Sequence, residues 1–194
     1  MSNQLIVENI SNAIVITFNN PSERSPISIS IIENLHKILD RYASDNAVGK
    51  IIFTGREDVF ASGADLREIA LVTSENAREF AMRGQFLMNK IADARQTTIA
   101  AVNGFCFGGA LDLALACDRR IGAPNAQFSH PGANLGIITG WSGTQRLPRL
   151  IGESNALEMV FTARRVDAVE ALRIGLIDEI AENPLEKAIE YQKK

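Results

Sequence analysis

The chain has 194 residues, 46% of them hydrophobic and 22% charged, so it is long enough to bury one sizeable core. Its net charge of −3 includes no basic excess, which argues against a nucleic-acid-binding protein. The two cysteines, Cys106 and Cys117, lack the spacing of a metal site, so we expect no metal. They are typical of small buried side chains in a protein of a reducing compartment.

The predicted elements alternate between strands and helices. Apolar residues at 5–7 and 13–18, separated by turn-forming residues, predict an opening hairpin. Helical spacing predicts a first helix around 31–39 and a longer one at about 75–94, whose inward side chains are Phe80, Phe86, Leu87 and Ile91. Further strands are predicted at 50–54, 98–102, 120–123 and 127–128, and further helices at 143–151, 154–163 and 167–174. This alternation predicts an α/β fold.

No targeting or membrane-spanning segment is predicted. Residues 1–9 lack a basic region followed by an apolar one, so we expect a cytoplasmic protein. The apolar run 97–117 is broken by Asn103, by glycines and by Asp112, and a strand leading into a buried helix explains it better than a membrane span. We therefore expect no membrane partner.

Residues 101–118 have the pattern of a buried strand, a double-glycine turn at Gly108 and Gly109, and a helix start. The first amides of a helix have no intrahelical partner and carry a partial positive charge, and glycines let a carbonyl oxygen approach them. Asp112 lies one turn into this helix among apolar residues, where an ionised carboxylate is costly unless paired. It is a candidate acid or base, and a helix-start aspartate stabilised by the dipole is the alternative.

A second segment, residues 60–69, again follows a predicted strand and runs through Ser62 and Gly63 into a helix. It offers the N–H of Ala64 as a second donor, and two convergent N–H groups make an oxyanion hole. Asp65 is most simply the cap of the helix that follows. The chain therefore carries the parts of a site that stabilises a developing negative charge.

Together these segments resemble the enoyl-CoA hydratase/isomerase family, the crotonase superfamily. The residues that carry the resemblance are 60–69 (FASGADLREI) and 101–118 (AVNGFCFGGALDLALACD), then 19–28, 126–136 and 143–147 (GTQRL). The matching motifs stand in the family's order and cover nearly the whole chain.

The resemblance implies a spiral of repeated ββα units, the ClpP-like fold, with two roughly perpendicular sheets flanked by helices. It implies a core domain at 1–180 and a residual C-terminal helical segment at 181–194, so the chain is a short member or a truncated form. It also implies a homotrimer or hexamer that binds an acyl-CoA or a related thioester. Coenzyme A then arrives as part of the substrate, and no other cofactor is expected.

The resemblance also implies a departure in the acid–base groups. Family hydratases use two glutamates, whereas this chain has Asp112 at the first position and Gly132 at the second, which cannot transfer a proton. His130 lies two residues earlier, where strand alternation places it on the same face, so it is a candidate acid or base; a hydrogen-bonded structural histidine is the alternative.

Other residues are assigned to substrate binding by the resemblance. Arg24 matches a basic position near the CoA phosphates, and Trp141 stands where the family has small residues, so it narrows the acyl pocket or simply packs in the core. The expected binding residues are Arg24, Pro26, Ser62, Gly63, Asp65, Leu66, Gly108, Pro131, Gly132, Leu135 and Trp141. The basic doublets 119–120 and 164–165 are interpreted as surface charge or oligomer contacts.

The sequence thus predicts an enoyl-CoA hydratase or isomerase type of enzyme. Asp112 is the single acid–base group, and the N–H groups of Ala64 and Gly109 hold the thioester oxygen. Two different functions stay open beside it: an enolate-forming decarboxylase or hydrolase of a thioester, and a catalytically silent acyl-CoA-binding or scaffold subunit.

Overall fold

The computed structural model describes residues 4–192, and most of its strands belong to two sheets. The strands are β1 (Leu5–Ile10), β2 (Ala13–Phe18), β3 (Pro26–Ile27), β4 (Lys50–Thr54), β5 (Val59–Ala61), β6 (Gly63–Ala64), β7 (Thr97–Val102), β8 (Phe105–Phe107), β9 (Arg119–Gly122), β10 (Gln127–Ser129), β11 (Val166–Asp167) and β12 (Glu179–Ile180). The larger sheet has the order β1-β2-β4-β7-β9-β12, the smaller one β11-β10-β8-β5, and β3 pairs with β6. Within the larger sheet β1 runs antiparallel to β2, and the other pairs are parallel.

The helices are interspersed among the strands. They are α1 (Ile29–Tyr42), α2 (Leu66–Ile69), α3 (Ala77–Ala92), α4 (Gly109–Ala116), α5 (Gly143–Ile151), α6 (Glu153–Thr162), α7 (Ala168–Arg173) and α8 (Pro184–Glu190). Three successive units place one strand in the larger sheet and the next in the smaller sheet before a helix, namely β4–β5, β7–β8 and β9–β10. This arrangement confirms the predicted α/β fold, and it places Gly63, which precedes α2, against Gly109 at the start of α4.

Side chains alternate between the two faces along the strands of the larger sheet, and in β2 and β4 both faces are buried. Ile14, Ile51 and Val102 point into the main core, which α1, α3 and α4 cover. The opposite face is covered by α8, whose Ala188 packs with Val15 and its neighbours. The predicted boundary after residue 180 thus precedes a helix that packs directly on the central sheet. Within residues 4–192, no helix has the length and apolar character needed to cross a membrane.

Two predictions about individual side chains are wrong. Phe86 was expected to point inward, but it is 57% exposed, because the buried stripe of α3 runs through Gly84, Leu87 and Ile91 and position 86 falls outside it. The doublet 119–120 is interpreted from sequence as surface charge or an oligomer contact, but Arg120 is buried within the chain itself. Its guanidinium donates hydrogen bonds to the carbonyl oxygens of Cys117 at 2.8 Å and Leu176 at 3.0 Å, which compensates for its burial.

Candidate active site

A cavity of about 350 Å³ lies between α3, α4 and the loop that follows β10. Most of its wall is apolar, with polar side chains of Asp112, His130 and Thr139 placed together at one end. The other lining residues are Ser62, Ala64, Ile69, Val72, Ala77, Phe80, Ala81, Gly108, Gly109, Pro131, Gly132, Ala133, Leu135, Ile137, Ile138, Gly140, Trp141 and Val160. An apolar cavity with a few convergent polar groups is typical of a small-molecule site.

The double-glycine turn delivers the start of α4 to this cavity. Gly108 has φ 55° and ψ −124°, a conformation that favours glycine, and its N–H donates to the carbonyl oxygen of Ser129 at 2.9 Å. The chain therefore turns sharply out of β8 and begins α4 at Gly109. The Gly109 amide belongs to the first helical turn, whose N–H groups have no intrahelical acceptor.

The second predicted donor segment lies against the first. Gly63 has φ 91°, and a Cβ atom built on it would lie 2.6 Å from the Gly109 nitrogen. A Cβ atom on Gly109 would lie 3.3 Å from the Ala64 nitrogen. The two backbone segments can approach this closely only because side chains are absent at both glycines, so Ala64 and Gly109 are neighbours in the cavity wall.

Asp112 is the carboxylate of this site. It is 1% exposed, and the Thr139 hydroxyl donates to its Oδ2, while Oδ1 has no hydrogen-bond partner among residues 4–192. Burial raises the pKa of Asp112 to about 7. Three smaller effects lower this pKa: the Thr139 hydrogen bond, the Trp141 backbone N–H and the positive charge of Arg146. A carboxyl group of this pKa can take up or release a proton near neutral pH.

His130 lies beside Asp112. It is 2% exposed, and its Nε2 is 3.5 Å from Oδ1 of Asp112. Neither ring nitrogen has a hydrogen-bond partner among the described residues. Burial lowers the pKa of His130 to about 4, so the imidazole is neutral at physiological pH.

Trp141 fills the space next to the helix start. Cβ atoms built on Gly84 of α3 and Gly109 of α4 would lie 2.1 Å and 2.4 Å from the indole ring, so the ring is held between the two helices. The side chain is buried and also lines the cavity. The indole ring therefore packs in the core and is also part of the cavity wall.

Comparison with known proteins identifies the family of this chain. The sequence profile of the family described as enoyl-CoA hydratase/isomerase matches residues 8–193. The chain belongs to the enoyl-CoA hydratase/isomerase family. It is 35% identical over 181 residues to the short-chain-enoyl-CoA hydratase of Clostridium acetobutylicum, covering 93% of this chain and 69% of that protein. The crotonyl-CoA hydratase of Syntrophomonas wolfei is 37% identical over 179 residues, which cover 92% of this chain and 69% of that protein.

A solved structure gives the same assignment. The enoyl-CoA hydratase from Bacillus anthracis superposes with a TM-score of 0.91 at 35% identity, covering 97% of this chain and 74% of that one. The crotonase fold expected from the resemblance is therefore confirmed, and the protein is an enzyme of the hydratase/isomerase superfamily. The chain spans 69% of the length of the two hydratases above.

Several family-implied binding residues lie outside the cavity wall. Arg24 is exposed in a left-handed turn with φ 60°, Pro26 pairs with Gly63 across β3 and β6, and Leu66 is 58% exposed. Asp65 caps α2 and bonds Arg67, whose guanidinium Nη2 lies 2.7 Å from it, so its side chain is committed to the fold. Gly63 is not part of the cavity wall either, since it lies against the backbone of Phe107 and Gly109. The other six binding residues predicted from the family line the cavity: Ser62, Gly108, Pro131, Gly132, Leu135 and Trp141.

Two residues of the site were not predicted. Thr139 contacts Asp112 from a loop 27 residues further along the chain, and no local pattern in the sequence indicates that contact. Gly143 is the first residue of α5 and lies directly beside Asp112. A Cβ atom built on Gly143 would lie 2.2 Å from Oδ1 of Asp112. Its position in the family-like GTQRL segment was a signal that the residue matters. Among residues 4–192, no group of three or more acidic, histidine or cysteine side chains could hold a metal ion.

Proposed function

We propose that the protein hydrates the double bond of a short 2-enoyl thioester, with Asp112 as the single acid–base group. The carrying observation is the buried carboxylate itself, which lines an apolar cavity, has a pKa of about 7 and keeps one oxygen without a hydrogen-bond partner among residues 4–192. The family membership and the hydratases of similar sequence support the acyl-CoA chemistry. The mostly apolar wall suits a hydrocarbon acyl chain.

The thioester oxygen binds to the N–H groups of Ala64 and Gly109 in this proposal. Both residues line the cavity, and the close contact of Gly63 with the Gly109 nitrogen keeps the two segments together. Amide donors fixed by the fold stabilise the enolate oxygen more than the ground-state carbonyl, which lowers the barrier. The partial positive charge at the start of α4 acts in the same direction.

The reaction then needs only one proton carrier. Oδ1 of Asp112 takes a proton from water while the water oxygen forms a bond to the β carbon. The electrons of the double bond move onto the thioester carbonyl as an enolate. Asp112 returns its proton to the α carbon, so one water is added and the carboxylate is regenerated.

The carrier, the assembly and the location are parts of the same proposal. We assign the thioester to coenzyme A, with no further cofactor, and Arg24 is the exposed cation that would meet its phosphates. Exposed apolar side chains on α6 and α7, among them Phe161 at 70% and Val169 at 71%, support assembly into a trimer or hexamer, which sedimentation measures. The unpaired thiols of Cys106 and Cys117 fit a cytoplasmic location.

The test is hydration of crotonyl-CoA, followed as loss of the enoyl thioester's ultraviolet absorbance. We expect turnover by the wild type, none by Asp112→Asn, and full turnover by the control Asp93→Asn, which changes an exposed carboxylate at the end of α3. Calorimetry with butyryl-CoA must show that Asp112→Asn still binds thioester.

Binding without turnover by the wild type would favour the silent subunit. Decarboxylation of malonyl-CoA would favour a thioester decarboxylase, and release of free CoA would favour a thioester hydrolase.

A further inference from the structure

Two buried polar side chains of the cavity wall face each other without a hydrogen bond between them. Nε2 of His130 and Oδ1 of Asp112 are 3.5 Å apart, too far for a normal N–H···O bond. Both atoms, and Nδ1 of His130, lack a partner among residues 4–192. Because buried polar atoms in native proteins are almost always satisfied, this pair points to a third polar group between them.

We propose that His130 is a catalytic residue that holds the attacking water together with Asp112, and that it does so as a neutral hydrogen-bonding group and not as a proton carrier. The inference rests on the proposed hydration. An oxygen atom at about 2.8 Å from each partner can bridge the gap, donating one hydrogen to Oδ1 and bonding Nε2. The water is then held by two protein groups before its proton moves to Asp112.

The surroundings divide the roles of the two side chains. Asp112 is the charged side chain that contacts His130, and the rest of the lining near it is apolar or uncharged. Burial keeps the imidazole neutral, with a pKa of about 4, while the same burial brings the pKa of the carboxyl to about 7. A group with a pKa near 7 carries a proton readily at neutral pH, whereas the neutral imidazole serves as a fixed hydrogen-bonding partner.

A glycine at position 143 leaves room for both side chains. A Cβ atom on Gly143 would lie 2.2 Å from Oδ1 of Asp112 and 3.0 Å from Cε1 of His130, so any side chain at this position would displace the pair. Gly132 occupies the place of the family's second glutamate and provides no polar side chain. His130, two residues before Gly132, therefore makes the contact to water that Gly132 cannot make.

Two reactions separate this role from a structural one. Hydration needs the held water, whereas exchange of the α hydrogen of saturated butyryl-CoA in heavy water needs only the thioester site and Asp112. For His130→Leu we expect hydration of crotonyl-CoA to fall about 100-fold in kcat, because the water loses one of its two partners. Deuterium incorporation into butyryl-CoA, measured by mass spectrometry, should stay at the wild-type rate.

The matched variant His130→Gln keeps a neutral hydrogen-bonding side chain. We expect it to retain hydration within about tenfold of the wild type, with an unchanged pH profile, since no proton passes through position 130. A His130→Leu variant that hydrates like the wild type overturns the inference, as does one that loses α exchange as well. Loss of hydration in both variants shows a proton carrier and overturns it too. A wild type without hydration overturns the proposed function itself.

Discussion

Thr139 holds one oxygen of Asp112 and leaves the other free. Its hydroxyl donates to Oδ2, whereas Oδ1 is buried next to Gly143 without a hydrogen-bond partner among residues 4–192. This bond stabilises the ionised carboxylate and lowers the pKa of Asp112, which burial has raised. Hydration needs the ionised form, so kcat/KM should rise with pH through about 7 and then level off.

Thr139→Val removes that hydrogen bond at almost constant volume. We expect the pKa of Asp112 to rise further, so the increase in kcat/KM moves to higher pH and activity at pH 7 falls. Thr139→Ser keeps a hydroxyl and should leave the profile close to that of the wild type. The pH dependence of crotonyl-CoA hydration measures the shift, and a Thr139→Val profile identical to the wild type would remove the bond from the mechanism.

Asp112 also makes stability depend on pH. Its pKa is raised from 3.8 to about 7 in the folded state, so the unfolded chain loses this proton first and folding stability falls as pH rises between those values. Asp112→Asn cannot ionise, so its gain in Tm over the wild type should be larger at pH 8 than at pH 5. Asp93→Asn controls for the change in net charge. A gain in Tm that does not grow with pH would contradict a raised pKa of Asp112 in the folded state.

His130 acts on stability with the opposite sign. Its pKa is lowered from 6.5 to about 4 by burial, so stability is lost as pH falls through that interval. The two contributions oppose each other over nearly the same interval, so the Tm of the wild type should depend little on pH between about 4 and 6.5. His130→Gln removes the histidine contribution, so its Tm should fall as pH rises through that interval. A Tm of His130→Gln that stays constant would contradict the raised pKa of Asp112.

Trp141 limits the size of the acyl group. The indole ring lies between Gly84 and Gly109 and bounds the cavity. Trp141→Leu should open this end and raise kcat/KM for a longer 2-enoyl-CoA relative to crotonyl-CoA by about tenfold, a typical effect of pocket volume. Trp141→Phe keeps an aromatic ring and should shift the ratio less. An unchanged ratio in Trp141→Leu would show that the ring only packs the core.

The residues that could be predicted from sequence belong to local patterns. Gly108, Gly109 and Asp112 form one strand, turn and helix start, and the structure has that turn at the expected place. Ala64 follows from a second pattern of the same kind. Local patterns do not give the distance between two such segments, so their contact through Gly63 had to come from the fold.

The unpredicted parts depend on where a long loop goes. Residues 131–142 contain few periodic apolar positions, so nothing in the sequence shows that Thr139 turns back to Asp112. The error at Phe86 has a similar origin, because an aromatic residue next to a buried stripe gives no sign of which side it takes. Tertiary packing decided both positions.

Ser142 carries backbone strain that can be removed. It has φ 96° and ψ 1° before α5 and makes no capping hydrogen bond with its side chain. Ser142→Gly should raise the free energy of unfolding by about 1 kcal/mol, because glycine adopts this conformation without steric cost. Urea denaturation measures the gain, and Ser142→Ala, which keeps a Cβ atom, should not show it. Equal stability of the two variants would contradict the strain.

The loop around Gly132 has no room for the glutamate that the family resemblance implies at this position. A Cβ atom there would lie 2.6 Å from the carbonyl oxygen of Ile137, whose N–H in turn donates to the Gly132 oxygen at 3.0 Å. Gly132→Glu should therefore lower the free energy of unfolding by about 1–3 kcal/mol, as overpacking does, and should not raise hydration. Asn134→Glu, at an exposed position of the same loop outside the cavity lining, controls for the added charge. A Gly132→Glu variant that is faster and equally stable would show that the loop can move aside, and that the second carboxylate was lost without compensation from His130.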